Sequence, residues 1–217
     1  MSSSGEGTRD RTRVKICGVT RPEDAELAAE LGADFVGLNF YSESPRLLGP
    51  SAAAEVADAV RGKCGLVGVF VNVALSEIGE IEAIVALELL QFHGDERPDE
   101  LEPVAERSIK ALRFDGTPDA AELNAYPGVW GFLVESRLVS RYGGAGKGWD
   151  YRGAANLPRK KPLLLAGGLR PDNVREAIAV SGAWGVDVCS GVEAAPGRKD
   201  PEKMKRFFDQ VRGRQLK

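Results

Sequence analysis

The chain has 217 residues, 43% hydrophobic and 28% charged, which is enough for one sizeable core and too few for two comfortable domains. A formal net charge of −3 without a basic arm or stripe argues against nucleic acid as the main partner, and no apolar stretch is long enough to span a bilayer. Three widely spaced cysteines (Cys17, Cys64, Cys189) and one histidine argue against a disulfide framework, a zinc pattern and any metal site built on several imidazoles, and they fit a reducing, cytoplasmic setting.

Residues 1–13 read as a disordered polar tail with no apolar signal core, and 14–217 as a single domain. From there one unit repeats: a short apolar run, a turn, then an amphipathic run. The spacing predicts strands at Val14 to Cys17, Phe35 to Phe40, Leu66 to Val71, Leu89 to Phe92, Ser108 to Leu112, Gly131 to Glu135, Pro162 to Ala166 and Gly185 to Cys189. Helical spacing falls at Glu23 to Leu31, with Thr20 as N-cap and Pro22 near the first turn, and then at Ser51 to Val60, Leu75 to Val85, Asp172 to Val180 and Pro201 to Val211. Pro98 to Ala105 and Pro118 to Leu123 suit short helices, and the weakest helical signal lies within Asp150 to Leu157. Near-continuous apolar strands alternating with helices mean a parallel sheet covered on its faces. Eight units of roughly 25 residues predict an α/β fold, a single (β/α)8 TIM barrel. A doubly wound open sheet is the second reading, because alternation alone does not establish closure.

A barrel would bring the C-terminal strand ends to one face. The residues there are Cys17, Arg46, Asn72, His93, Arg113, Glu135, Gly167, Gly168 and Asp187 to Gly191. A thiol, a carboxylate, cations and two glycine turns suit acid–base chemistry on an anionic phosphorylated small molecule. The turns at Gly167-Gly168 and Ser190-Gly191 follow strands seven and eight, where glycines let backbone N–H groups approach a phosphate. Arg46 suits a substrate carboxylate. His93 reads as a proton carrier, or as a residue that orients a neighbour or lines the pocket. Cys64 and Cys189 read as structural. The glycine run at 143–148 departs from a nucleotide loop: Arg141 stands at the first glycine position, and Gly148 replaces the Ser or Thr. It reads as a mobile loop beside Glu135.

Several segments, in order from Val14 to the last helix, resemble the phosphoribosylanthranilate isomerase family of tryptophan biosynthesis. They are KICGVT, Ser44-Pro45-Arg46, GVFVN, QFHGDE, GGAGKGWDY, LAGGLRPDNV and GVDVCSGVE. The resemblance implies a (β/α)8 barrel that needs no cofactor or metal and exists as monomer or homodimer, without membrane or nucleic-acid partners. It implies an Amadori rearrangement of N-(5-phosphoribosyl)anthranilate to 1-(2-carboxyphenylamino)-1-deoxyribulose 5-phosphate. By this resemblance Cys17 is the general base and Glu135 the general acid, with glutamate standing where the family has aspartate. Arg46, His93 and Asp187 would bind substrate, and Gly167, Gly168, Ser190 and Gly191 the phosphate. A histidine-pathway barrel isomerase is a related alternative, disfavoured by a cysteine on the first strand. A binding barrel that has lost catalysis is another, motivated by Glu135 alone.

Overall fold

Eight apolar runs hydrogen-bond side by side, in chain order, and the last closes on the first. In the computed structural model, which describes residues 11–114, 118–136 and 150–213, the strands are β1 (Arg13–Cys17), β2 (Phe35–Asn39), β3 (Gly65–Phe70), β4 (Leu89–Phe92), β5 (Ser108–Phe114), β6 (Gly131–Ser136), β7 (Leu163–Leu165) and β8 (Gly185–Val188). All pairings in this sheet are parallel, and β8 lies against β1 with Ile16 opposite Val188. Closure decides for the barrel over the open sheet. β1 begins at Arg13, one residue before the predicted strand start, and Asp34 accepts from both the Arg13 guanidinium and the Val14 N–H.

The helices are α1 (Pro22–Glu30), α2 (Pro50–Ala59), α3 (Leu75–Glu82), α4 (Pro98–Leu101), α5 (Ala120–Asn124), α6 (Val174–Ser181) and α7 (Pro201–Val211). Proline opens four of them, where its missing N–H costs nothing. Asp200 caps α7 by accepting from the N–H groups of Glu202 and Lys203. Thr20 is not the N-cap of α1. Arg21 takes that position, and the Thr20 hydroxyl donates instead to the carbonyl of Gly197. The helix after β4 stays α-helical only to Leu101 and continues as a 3-10 turn over Glu102–Arg107. Pro103 explains the change, because its ring excludes the α ladder there. Among the described residues of the sixth unit there is a 3-10 segment, Tyr151–Asn156.

Strand periodicity of two sorts the side chains into two cores. Even-numbered positions on the first six strands, such as Val14, Ile16, Val36, Leu38, Phe70, Leu90, Phe92 and Val134, pack outward under the helices. Emptying one of these sites to alanine would cost about 2–5 kcal/mol. Phe35, Val67, Leu89, Ile109, Leu133 and Leu164 point inward and fill the barrel, with Trp130 and Trp184 packed against them. Continuing the same parity toward the C-terminal ends changes the chemistry. The next inward residues are Lys15, Gln91 and Asp187, and above them Cys17, His93, Glu135 and Cys189. The apolar plug thus gives way to a polar floor, and that floor underlies the site. A small antiparallel hairpin, β9 (Glu193–Ala195) with β10 (Arg198–Lys199), covers the end of the β1–β8 seam.

Candidate active site

The mouth of the barrel holds a cavity of about 340 Å³. It is lined by Cys17, Arg46, His93, Glu135, Asp187, Gly167, Gly168, Ser190 and Gly191. Asn39, Tyr41, Gln91 and Cys189 join them. Asn72 and Arg113 do not. Asn72 adopts a left-handed turn (φ 53°) and accepts from the Asp95 N–H, while Arg113 reaches toward Asp95. The glycine run at 143–148 lies outside the described residues.

Cys17 ends β1 with its side chain inside the barrel, and the missing side chain of Gly37 on β2 makes its space. A Cβ there would stand 3.0 Å from both the Cys17 sulfur and Lys15 Nζ. Lys15 is wholly buried and donates to Asp187 Oδ1 at 2.8 Å. The Cys17 thiol is held well below its ordinary range. A hydrogen bond from the Cys189 thiol does most of this; burial opposes it, and the cations of Lys15 and Lys199 add to it. Cys189 is correspondingly raised, by the same bond to Cys17 and by burial, and keeps its proton. The two thiols are thus pushed apart, Cys17 toward its charged form and Cys189 toward its neutral one. Cys189 is thus part of the site rather than a structural residue, as its position beside a glycine turn had suggested.

Lys15 and Asp187 shift in the same direction for different reasons. Burial works against the Lys15 ammonium, but the charges of Asp187 and Cys17 outweigh it and hold its pKa above the usual value. Burial, then repulsion from Cys17, pushes Asp187 up to about 6 despite Lys15. A single cation thus serves two acidic groups.

Glu135 stands across the mouth on β6, buried, with Oε1 2.9 Å from His93 Nε2. His93 Nδ1 lies 2.9 Å from Gln91 Nε2. With that amide assigned as donor, Nε2 carries the imidazole hydrogen and donates to Oε1, which leaves Oε2 for the cavity. Gln91 Oε1 is buried without a partner among the described residues. His93 both lines the cavity and bonds the Glu135 carboxyl.

Arg46 is half committed. Nε and Nη2 donate to Glu193 Oε1 and Oε2 at 2.8 and 2.6 Å. Lys199 also donates to Glu193 and to the carbonyls of Cys17 and Cys189. Burial disfavours the Glu193 charge, but Arg46 and Lys199 outweigh it and hold the carboxyl below the usual range. Only the Nη1 side of Arg46 remains for a ligand, since no bond to it occurs among the described residues. Arg46 is thus fixed by protein before any substrate arrives.

The glycine turns are shaped from behind. Gly167 and Gly168 are left-handed (φ 84° and 72°). Their carbonyls accept from the Tyr151 hydroxyl at 2.8 Å and Asn173 Nδ2 at 2.9 Å. Because a carbonyl and the following N–H point oppositely across a trans peptide, the N–H groups of Gly168 and Leu169 turn the other way. Gly191 has no room for a side chain, since a Cβ would collide with the Leu169 carbonyl. Gly167, Gly168, Ser190 and Gly191 donate no backbone hydrogen bond among the described residues. Unpaired N–H groups at two glycine turns that line one cavity suit an anion.

The sequence reading passed over Lys15, Gln91, Glu193 and Lys199. Lys15 and Gln91 each stand two residues before a recognised residue, and parity alone would have pointed them inward. Glu193 and Lys199 carry no such signal, because only the folded hairpin brings them over β1.

A sequence model described as "PRAI: N-(5'phosphoribosyl)anthranilate (PRA) isomerase" matches residues 14–210. An N-(5'-phosphoribosyl)anthranilate isomerase of Pseudomonas aeruginosa is 44% identical over 203 residues, covering 93% of this chain and 96% of that one. Among solved structures, phosphoribosyl anthranilate isomerase from Thermotoga maritima superposes with a TM-score of 0.86 at 38% identity, covering 93% of this chain and 99% of that one. Another isomerase structure, in complex with reduced 1-(o-carboxyphenylamino)-1-deoxyribulose 5-phosphate, gives a TM-score of 0.80 at 35% identity over 93% and 99% of the two chains.

Proposed function

The chain belongs to the N-(5'-phosphoribosyl)anthranilate isomerase family, and on that premise we propose that its cavity rearranges N-(5'-phosphoribosyl)anthranilate to the corresponding 1-deoxyribulose 5-phosphate, a step of tryptophan biosynthesis, with Cys17 as base and Glu135 as acid. The observation that carries this reading is the pairing of a stabilised thiolate with a buried carboxyl across one cavity, between an anion cradle and a fixed guanidinium.

Each part of the substrate has a matching group. The phosphate takes the N–H groups at Gly167-Gly168 and Ser190-Gly191. The carboxylate of the anthranilate ring takes the open side of Arg46. Asp187, lining the cavity beside Lys15, suits a sugar hydroxyl. With both ends held, the ribose lies between Cys17 and Glu135. Glu135 delivers a proton to the ring oxygen, and the ring opens to a Schiff base. The Cys17 thiolate removes the C2 proton, giving an enolamine that tautomerises to the ketone. His93 keeps the Glu135 carboxyl in place through both steps. An acid and a base positioned this way contribute roughly 10²–10⁴-fold each, and positioning supplies the rest.

The test is growth and turnover together. The gene should restore a tryptophan auxotroph that lacks this isomerase, and the purified protein should consume freshly made phosphoribosylanthranilate, followed by loss of its fluorescence. Failure of both, with a folded protein, overturns the assignment. Growth excludes a barrel that only binds.

A further inference from the structure

Cys189 has no part in the rearrangement beyond its hydrogen bond, yet it is built against the most nucleophilic atom of the cavity. Ile16 and Val188 are register partners on adjacent parallel strands, and Cys17 and Cys189 each follow directly. Neighbouring strands run about 4.8 Å apart, inside the span of about 4.4–6.8 Å between Cα atoms that a disulfide bridges. Both side chains line the same cavity. The Lys199 ammonium binds both carbonyls, at 2.6 Å from Cys17 and 3.3 Å from Cys189, and so ties the two strand ends together. A Cβ at Gly18 would collide with Arg46 Cδ and stand 3.0 Å from Cys189 Sγ, so only glycine fits beside that sulfur. The Cys189 thiol donates at 3.9 Å to Glu193 Oε1, the carboxylate that Lys199 also binds.

We propose that Cys17 and Cys189 form a modification site for small hydroperoxides, which convert the pair to an intramolecular disulfide. The Cys17 thiolate attacks the hydroxyl oxygen of the peroxide; the O–O bond breaks, the sulfur becomes a sulfenic acid, and the other oxygen leaves as hydroxide from hydrogen peroxide or as alkoxide from an alkyl hydroperoxide. The Cys189 sulfur then attacks the sulfenic sulfur. The S–S bond forms, the S–O bond breaks, and the oxygen departs as water with the Cys189 proton. The peroxide is reduced by two electrons and the thiol pair is oxidised by two. A dithiol reverses the change by exchange. Cys17, whose thiol is held below its ordinary range, opens to the cavity, and a second thiol stands at the neighbouring strand end, the arrangement that favours a reversible disulfide over further oxidation. Cys64 lies on another face, in a groove with Ala54, Arg61 and Ile84, and takes no part. Loss of turnover on oxidation rests on the proposed role of Cys17; the disulfide itself does not.

The experiment uses the Cys64→Ser protein, which keeps only Cys17 and Cys189, treated with hydrogen peroxide, alkylated and digested. The expected result is a cross-linked Cys17–Cys189 peptide lighter by two hydrogens, lost on treatment with dithiothreitol, with turnover lost and recovered in parallel. In Cys64→Ser/Cys189→Ser the cross-link is absent and Cys17 proceeds to sulfinic acid, which dithiothreitol does not restore. Oxidation of Cys17 without the cross-link in the Cys64→Ser protein overturns the proposal, as does a Cys17 that peroxide leaves unmodified. A cross-link in a protein that never turned over substrate leaves this site standing and counts against the isomerase reading alone.

Discussion

Arg46 and Glu193 meet edge to edge, Nε on Oε1 at 2.8 Å and Nη2 on Oε2 at 2.6 Å, across 147 residues of chain. The pair fixes the guanidinium at the cavity wall and pins the hairpin over β1. Both side chains are nearly buried, at 11% and 4% exposure. Arg46→Ala leaves the Glu193 carboxylate with Lys199 as its remaining ionic partner. Breaking a buried pair costs about 3–5 kcal/mol, and Lys199 places this case at the lower end. Thermal unfolding should show a clear drop in Tm, and substrate KM should rise. An unchanged Tm would show that the pair does not hold the hairpin.

Lys15 never reaches the substrate in this account; it acts on Cys17. In Lys15→Met the nearest cation is gone and burial is unopposed on that side, so the thiol pKa rises. The rate of Cys17 alkylation by iodoacetamide, followed across pH in the Cys64→Ser background, should reach half-maximum at more alkaline pH than with Lys15 present. The rising limb of kcat/KM should move the same way. A profile that does not move would assign the ionisation to Cys189 and Lys199 alone.

Asp187 gives a pH dependence of stability. Its folded pKa of about 6 lies above the ordinary carboxyl value of about 3.9. A raised value means that its favourable contribution is full below the unfolded pKa and is lost as pH rises through about 6. Two units correspond to about 3 kcal/mol. The Asp187→Asn protein lacks this term, so its stability relative to wild type should improve from pH 4 to pH 7. Urea unfolding at the two pH values measures it, and a difference that stays constant would place the Asp187 charge elsewhere.

Gly191→Ala tests the cradle. The new methyl meets the Leu169 carbonyl, so the two phosphate turns must separate. KM should rise with a smaller change in kcat, and competitive inhibition by inorganic phosphate should weaken. Unaltered phosphate inhibition would remove this turn from the binding site.

The barrel was legible because eight short apolar runs, each too brief for a helix, recur with helical spacing between them. The site was legible at glycines and strand ends, since position alone carries the signal there. Lys15 and Gln91 were hidden in runs that read as buried strand, although they stand at inward positions. Cys189 read as packing because its meaning lies in the β1–β8 seam, which joins the two ends of the chain. The state of Arg46 was out of reach for the same reason: its partner Glu193 is distant in sequence and set by the fold of a hairpin. Thr20 failed as a cap because Gly197, also far away in sequence, offered its hydroxyl a better partner.

The division of labour across the mouth can be measured directly. Cys17→Ala and Glu135→Gln, each checked by circular dichroism for an intact fold, should lower kcat for phosphoribosylanthranilate by roughly 10²–10⁴-fold while KM changes little. Turnover near the wild-type rate in either variant would contradict the assignment of that residue as base or acid.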